Sequence, residues 1–215
     1  FTVTRAAIVT GYRALSYKTV RNFDALRAQQ DVATGTQFIM IAGPSLRAST
    51  GAHDYFVHGD FYAANGGPGS FAEVRVVGET RLQQGTHELK GVGGSATAAW
   101  YSKPSATRTR VLNAELSGIR SLTYPIQLTF ADQEGGLRGF VTSHEAGGAR
   151  LVLRAEERQL LTWYFPRADL ALAEFVDAGK VWAGGAPLSR TSEVKASVGL
   201  SLLGSYPSGG MRVYR

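Results

Sequence analysis

One arginine and two downstream carboxylates are the residues of this sequence best suited to form a sheltered ion pair. Arg138 stands between glycines in the segment 135–140, and Glu156 and Asp177 follow in the next two stretches of chain. Glycines let a backbone turn tightly and approach a neighbouring surface closely. A guanidinium offers a planar fork of donors that matches a carboxylate. These three charges could hold a loop in place, and three solvated charges are the alternative interpretation.

Patterns for metal binding are weak. The chain has no cysteine, so disulfides and thiolate metal sites are excluded. Of the four histidines, His53 and His58 are five positions apart, which puts them on opposite faces of a strand. They cannot easily share a metal, and we expect no metal site.

Patterns for catalysis are equally weak. Gly69-Ser70 and Gly94-Ser95 lack the surrounding G-x-S-x-G pattern of a serine nucleophile. The glycine-rich runs lack the G-K-[ST] ending of a phosphate-binding loop. We therefore expect neither an enzyme nor a cofactor.

Charge and hydropathy exclude two further classes. The net charge is +6, but the 23 Lys and Arg residues are scattered and form no basic helix or aromatic-interleaved patch. Nucleic-acid binding is therefore not expected. Hydrophobic residues make up 44% of the chain, yet no run approaches the roughly 20 apolar residues of a membrane helix.

The elements that must position these residues are long strands. Turn clusters rich in Gly, Pro and Asn separate segments of about 10–16 residues, longer than the usual strand of about 5–6. Long strands joined by short turns are typical of a large antiparallel up-and-down barrel. The predicted strands are about 2–17, 34–49, 53–65, 69–83, 86–101, 107–119, 149–163, 168–182, 193–205 and 210 onward.

The alternation of apolar and polar residues supports these strands, but it does not show which face of the sheet points outward. In residues 194–202, Val194, Val198 and Leu202 share one face, whereas Lys195 and Ser201 share the other. A polar face suits either bulk water or a wet lumen, and a membrane barrel places its apolar face outward. The length of the strands favours a membrane barrel over a soluble, lipocalin-like one.

Residues 122–148, called here the long loop, interrupt the strand rhythm and contain Arg138. Connections of this length are usually functional or disordered. The functional interpretation folds the long loop into the barrel, where Arg138 pairs with inward carboxylates on the next two strands. Asp177 shares a face with Ala171, Ala173, Phe175 and Gly179, which we expect to leave room for the guanidinium.

The downstream motifs resemble those of the outer-membrane assembly and translocation barrels of the BamA, TamA and two-partner-secretion type, the surface antigen family. That family carries V/L-R-G-F/Y at the tip of a luminal loop, then strands with E-x-R, F-x-D-x-G-x-x-W and S-x-G-x-x-L. The matching residues here are Gly136-Leu137-Arg138-Gly139-Phe140, Glu156-Glu157-Arg158, Phe175-Val176-Asp177-Ala178-Gly179-Lys180-Val181-Trp182 and Ser197-Val198-Gly199-Leu200-Ser201-Leu202. Residues 1–121 carry strand rhythm only.

The resemblance implies an all-β fold, a partial antiparallel up-and-down transmembrane β-barrel with about ten of roughly sixteen strands. All of residues 1–215 would belong to this one domain. Arg138 would pair with Asp177 and Glu156 to form a loop lock, with Gly136, Leu137, Gly139 and Phe140 as its loop motif. The expected location is a bacterial outer membrane.

The implied function is insertion or translocation of proteins at that membrane, without enzyme activity. Expected partners are outer-membrane lipid and lipopolysaccharide, unfolded or β-barrel protein substrates, and accessory subunits. Two alternatives stay open. The barrel could anchor or export a fused upstream enzyme such as a patatin-like lipase, or it could be an accessory structural subunit without insertase activity.

Overall fold

The computed structural model describes residues 3–48, 53–122, 126–131, 133, 135–141, 144–161, 167–186 and 188–215. Its strands are β1 (Val3–Arg5), β2 (Ile8–Arg21), β3 (Gln29–Ala48), β4 (Asp54–Gly66), β5 (Ser70–Gln83), β6 (Leu89–Ser105), β7 (Arg108–Arg120), β8 (Leu128–Thr129), β9 (Ala146–Gly147), β10 (Ala149–Leu161), β11 (Asp169–Trp182) and β12 (Lys195–Ser205).

Ten of these strands form one antiparallel sheet in which each long strand pairs with the next long strand along the chain. The order runs from β2 through β3, β4, β5, β6, β7, β10 and β11 to β12, and β1 also pairs with β3. This confirms the predicted all-β, antiparallel, up-and-down architecture. In the described part of the chain β2 and β12 do not pair, so the sheet is open. The described part of the chain contains no helix that is long and apolar enough to cross a membrane.

The ends of β3 and β6 lie up to five residues from the predicted ends, and two predicted strands differ more. The strand predicted at 2–17 is divided into β1 and β2, which both pair with the 20-residue strand β3. The strand is interrupted at Ala6 and Ala7. The backbone of Ala6 lies so close to Gly43 that a side chain at position 43 would collide with it. The strand predicted from residue 210 onward is reduced to one bridge between Gly204 and Tyr214. Predicted strand ends at residues 2, 49, 162 and 163 lie outside the described residues.

The two faces of the sheet differ in chemistry. One face carries apolar side chains that are exposed, including Trp100, Leu116, Val176 and Val198. The other face carries buried polar and charged side chains, among them Glu156 and Asp177, the latter with no exposed surface. We call these the outer face and the concave face.

Segment 22–28, between β2 and β3, shows that the sheet is curved. Phe23 packs 6.1 Å from Phe71 of β5, measured between ring centroids, and Arg27 pairs with Asp169 of β11 at 3.3 Å. In a flat sheet β2 and β11 would be about 34 Å apart, at about 4.8 Å per strand. Six extended residues span at most about 21 Å. The sheet therefore curls around the segments that lie on its concave face.

Candidate functional site

The long loop turns back on itself and lies on the concave face. Its ends meet in the short β8–β9 pair. The N–H groups of Gly136 and Leu137 each donate to a backbone carbonyl, of Ala131 and Phe130 respectively, at 3.0 Å. A side chain at Gly136 would collide with the carbonyl of Phe130. Glycine at this position therefore lets the tip fold tightly. Residues 123–125, 132, 134, 142 and 143 of the loop lie outside the described residues.

Arg138 binds Asp177 through three donors. Its Nε donates to Oδ2 at 2.7 Å, its Nη2 donates to Oδ1 at 2.5 Å, and its backbone N–H donates to Oδ2 at 3.2 Å. Asp177 lies on the concave face of β11, and its side chain is fully buried. A planar guanidinium that binds both oxygens of a carboxylate has one favoured geometry. The pair therefore fixes the position of the loop tip and also compensates the charge of Asp177.

Glu156 of β10 completes the loop lock and has two further cationic partners. Its Oε2 accepts from Nη1 of Arg138 and, at 2.7 Å, from Nη2 of Arg215. Its Oε1 accepts from Nε of Arg158. The structure thus brings together the three residues singled out in the sequence, and it adds two arginines. Within this group three guanidinium groups face two carboxylates, so both acids are compensated.

Burial alone would lower the pKa of Arg138. The hydrogen bonds and charges of Asp177 and Glu156 outweigh it and raise that pKa above its ordinary value. The guanidinium is therefore charged at every pH at which the fold is relevant. An ion pair of this kind positions a segment.

An aromatic ring supports the guanidinium from one side. The Cζ atom of Arg138 lies 4.0 Å from the ring centroid of Phe175, close enough for a cation–π interaction. The ring in turn lies over Gly199 of β12, where an added Cβ would come within 2.7 Å of its Cζ atom. Gly199 therefore gives the ring its place beneath Arg138, and residues of three of the four motifs meet in one stack.

Gly179 has a different role from the expected one. It does not make room for the guanidinium. A Cβ at Gly179 would lie 2.9 Å from Cε1 of Phe130 and 3.2 Å from Cδ2 of Leu137. Phe130 and Leu137, both fully buried, pack with Val152 and Val181 into an apolar cluster. The absence of a side chain at Gly179 thus lets Phe130 and Leu137 of the long loop pack directly against β11.

The remaining loop-motif residues divide between packing and turning. Phe140 packs against this cluster, with its ring centroid 6.2 Å from that of Phe130. Gly139 has a positive φ of 84° and open space around it. A left-handed backbone favours glycine there, and it carries the chain from Arg138 to Phe140.

No protein-family model, curated protein or solved structure matches this chain. Among the described residues, no three His, Cys, Asp or Glu side chains are grouped so that they could hold a metal ion.

A row of arginines on β10 has a role that was not predicted from the sequence, although Arg158 is part of the E-x-R motif. Arg150, Arg154 and Arg158 recur every four residues, so they share the concave face. Arg150 donates to the carbonyl of Thr129 at 2.8 Å, and Arg154 donates to the carbonyl of Gly136 at 2.8 Å. These two side chains hold the backbone of the long loop. The four-residue spacing was the available signal.

Glu115 of β7 balances the first two of these arginines. Its Oε1 accepts from Nη2 of Arg150 at 2.7 Å, and its Oε2 lies 3.8 Å from Nη1 of Arg154. The loop is thus fastened at two places. Backbone carbonyls are bound near Glu115, and the Arg138 side chain is bound near Glu156 and Asp177.

Proposed function

We propose that the chain is part of a transmembrane β-barrel of a bacterial outer membrane that takes part in inserting or translocating proteins. The observation that carries this proposal is the loop lock. A long loop lies on the concave face of an up-and-down sheet, and Arg138 binds carboxylates on two successive strands. The same residues form the motifs that resemble the assembly and translocation barrels.

The chemistry of the outer face supports a membrane location. On β7, Arg110 and Arg120 both face outward. The outward-facing residues between them are all uncharged: Leu112, Ala114, Leu116 and Gly118. Ten residues at about 3.3 Å each span about 33 Å along the strand. A tilt of about 40° reduces this to an apolar band of about 25 Å, the height typical of outer-membrane barrels.

The neighbouring strands continue this band. Leu153 of β10 and Val176 of β11 are about half exposed, and Val198 of β12 is 83% exposed. Glu157 of β10 lies level with Arg110 and accepts from its Nε at 2.7 Å. Exposed apolar surface of this extent is unfavourable in water, and lipid would cover it.

The concave face supports a positioned internal loop rather than an open pore. Exposed salt bridges contribute little, but a buried pair holds one arrangement firmly. The loop lock joins the long loop to β10 and β11, next to β12. A barrel that handles other strands needs its interior and its edge in a defined state, and we assign that task to the loop lock.

The proposal is tested with the full-length protein reconstituted in liposomes. We expect it to accelerate the folding of a urea-denatured eight-stranded barrel into those liposomes. Empty liposomes and liposomes with an inert barrel of similar size are the controls. A rate equal to that of the inert barrel would reject the insertion function.

The rival functions give different results in the same preparation. A barrel that anchors or exports a fused enzyme would leave the folding rate unchanged and would place that enzyme outside the liposome, where protease removes it. An accessory subunit would accelerate folding only when its co-purified partner is added. Each outcome replaces the proposed function with a named alternative.

A further inference from the structure

Residues 22–28, called here the strap, lie across the concave face at the end far from the root of the long loop. The long loop is attached to the end of β7 and the start of β10. The strap instead contacts Thr109 at the start of β7 and packs with Leu160 at the end of β10. The two inserted segments therefore enter the concave face from opposite ends.

Polar contacts hold the strap to the strands beneath it. The hydroxyl of Thr109 donates to the carbonyl of Asn22 at 2.8 Å, and the hydroxyl of Tyr101 donates to Oδ1 of Asp24 at 2.7 Å. The Asn22 side chain donates to the carbonyl of Ala106 at 2.9 Å. These bonds reach β6, β7 and the turn between them, so the strap is fixed well beyond its own hairpin.

Apolar contacts fill the space under the strap. Phe23 is 1% exposed, and its ring is stacked on that of Tyr101 with centroids 4.8 Å apart. Ala25 is 1% exposed, and Leu26 packs in a cluster with Leu160 and Leu203. A connection made only to join two strands would bury little. This one closes the concave face from β5 to β12.

One carboxylate connects the strap to the loop lock. Arg158 donates from Nη1 to the carbonyl of Phe23 and from Nε to Oε1 of Glu156. The other oxygen of Glu156 accepts from Arg138. Glu156 thus binds Arg158, which holds the strap, and Arg138, which belongs to the long loop. The hydrogen bonds described for Asp177 come from Arg138 alone.

We propose that the strap is a second plug of the barrel and that Glu156, through the positioning residue Arg158, couples it to the long loop. The inference rests on the proposed function only in treating the concave face as a lumen. A shift of Glu156 toward or away from Arg138 changes how firmly Arg158 is held. Arg158 in turn changes how firmly the strap is held.

Thiol labelling tests this coupling, because residues 1–215 contain no cysteine and any elsewhere in the protein is replaced by serine. Ala25 and Leu137 are both buried, so a cysteine at either position reacts only when its segment opens. Ala25→Cys therefore reports opening of the strap, and Leu137→Cys reports opening of the long loop. Each is placed in the full-length protein in detergent, alone and with Glu156→Gln, Asp177→Asn or Arg158→Gln. The reaction rate with a polar maleimide is measured.

We expect Glu156→Gln to accelerate labelling at both positions by roughly tenfold or more, as loss of a charge-assisted hydrogen bond allows. Asp177→Asn should accelerate labelling mainly at Leu137→Cys, and Arg158→Gln mainly at Ala25→Cys, each with a smaller increase at the other position that passes through Glu156. Equal strap labelling in Glu156→Gln and Asp177→Asn would overturn the coupling.

Fast strap labelling without any of these substitutions would overturn the second plug itself. Heat-modifiable gel mobility of each variant confirms that the barrel is folded. The labelling rates do not depend on substrate insertion. Failure of the coupling and failure of the proposed function are therefore read separately.

Discussion

Arg138 and Asp177 form a two-pronged ion pair in which Nε and Nη2 bind the two carboxylate oxygens at 2.7 and 2.5 Å. The pair joins the tip of the long loop to β11, and the Asp177 side chain has no exposed surface. Removing one partner of such a pair leaves a buried charge uncompensated. The strongest effects of substitution should therefore occur here.

Arg138→Ala should lower the free energy of unfolding by about 3–5 kcal/mol, because it strands Asp177 without a cation. We expect the barrel still to enter the membrane, since the strands and the outer face are unchanged. Urea unfolding followed by heat-modifiable mobility measures the change. Arg108→Ala is the matched control, because the Arg108 pair with Glu157 is on the exposed outer face, where such pairs contribute about 0–1 kcal/mol. Equal losses in the two variants would contradict the loop lock.

Arg138→Lys should fail to restore the wild-type protein even though it keeps the charge. A lysine ammonium cannot bind both oxygens of Asp177 in parallel, and it loses the planar contact with Phe175. We expect most of the loss seen in Arg138→Ala. Full recovery of stability with lysine would show that charge alone, and not the fork geometry, positions the loop.

Gly179→Ala should displace the apolar part of the long loop. The added Cβ would lie 2.9 Å from Phe130 and 3.2 Å from Leu137, and overpacking of this kind costs about 1–3 kcal/mol. Gly118→Ala is the control, because the space around Gly118 on β7 is open. Protease sensitivity of the long loop should rise in the first variant and stay unchanged in the second. Identical digestion of the two would reject the assigned role of Gly179.

Leu116→Arg should destabilise the protein in a bilayer by about 2–4 kcal/mol, because it puts a charge near the middle of the proposed lipid-facing band. Thr97→Arg is the control on the neighbouring strand. Thr97 is exposed on the concave face and lies opposite Glu115, so an arginine there finds a carboxylate. Unfolding in liposomes compares the two. A larger loss for Thr97→Arg would mean that the outer face does not meet lipid.

The long strands could be predicted from the sequence, and the loop-lock residues were singled out for a different physical reason. Alternation over long segments is a local signal, and it located β4, β5, β7, β11 and β12 to within a few residues. The grouping of Arg138 with Glu156 and Asp177 came from a motif order that resembles a family. The geometry alone then brought Arg158 and Arg215 to Glu156.

Other features depend on contacts that no local pattern records. The strap looks like an ordinary turn in the sequence, and its burial arises only when the sheet curves around it. The role of Gly179 depends on Phe130, nearly 50 positions earlier in the chain. The division of the first strand depends on the unusual length of β3, which pairs with both halves.

The central claim is that the pair of Arg138 and Asp177 acts as one unit in the proposed handling of substrate barrels. Its most direct test is the rate of liposome-mediated barrel folding for Arg138→Ala, Asp177→Ala and the double variant. We expect each single variant to slow folding, and the double variant to be no slower than the worse single one, because the second substitution removes a charge already unpaired. Multiplied losses in the double variant, or three rates equal to that of the wild type, would contradict the account.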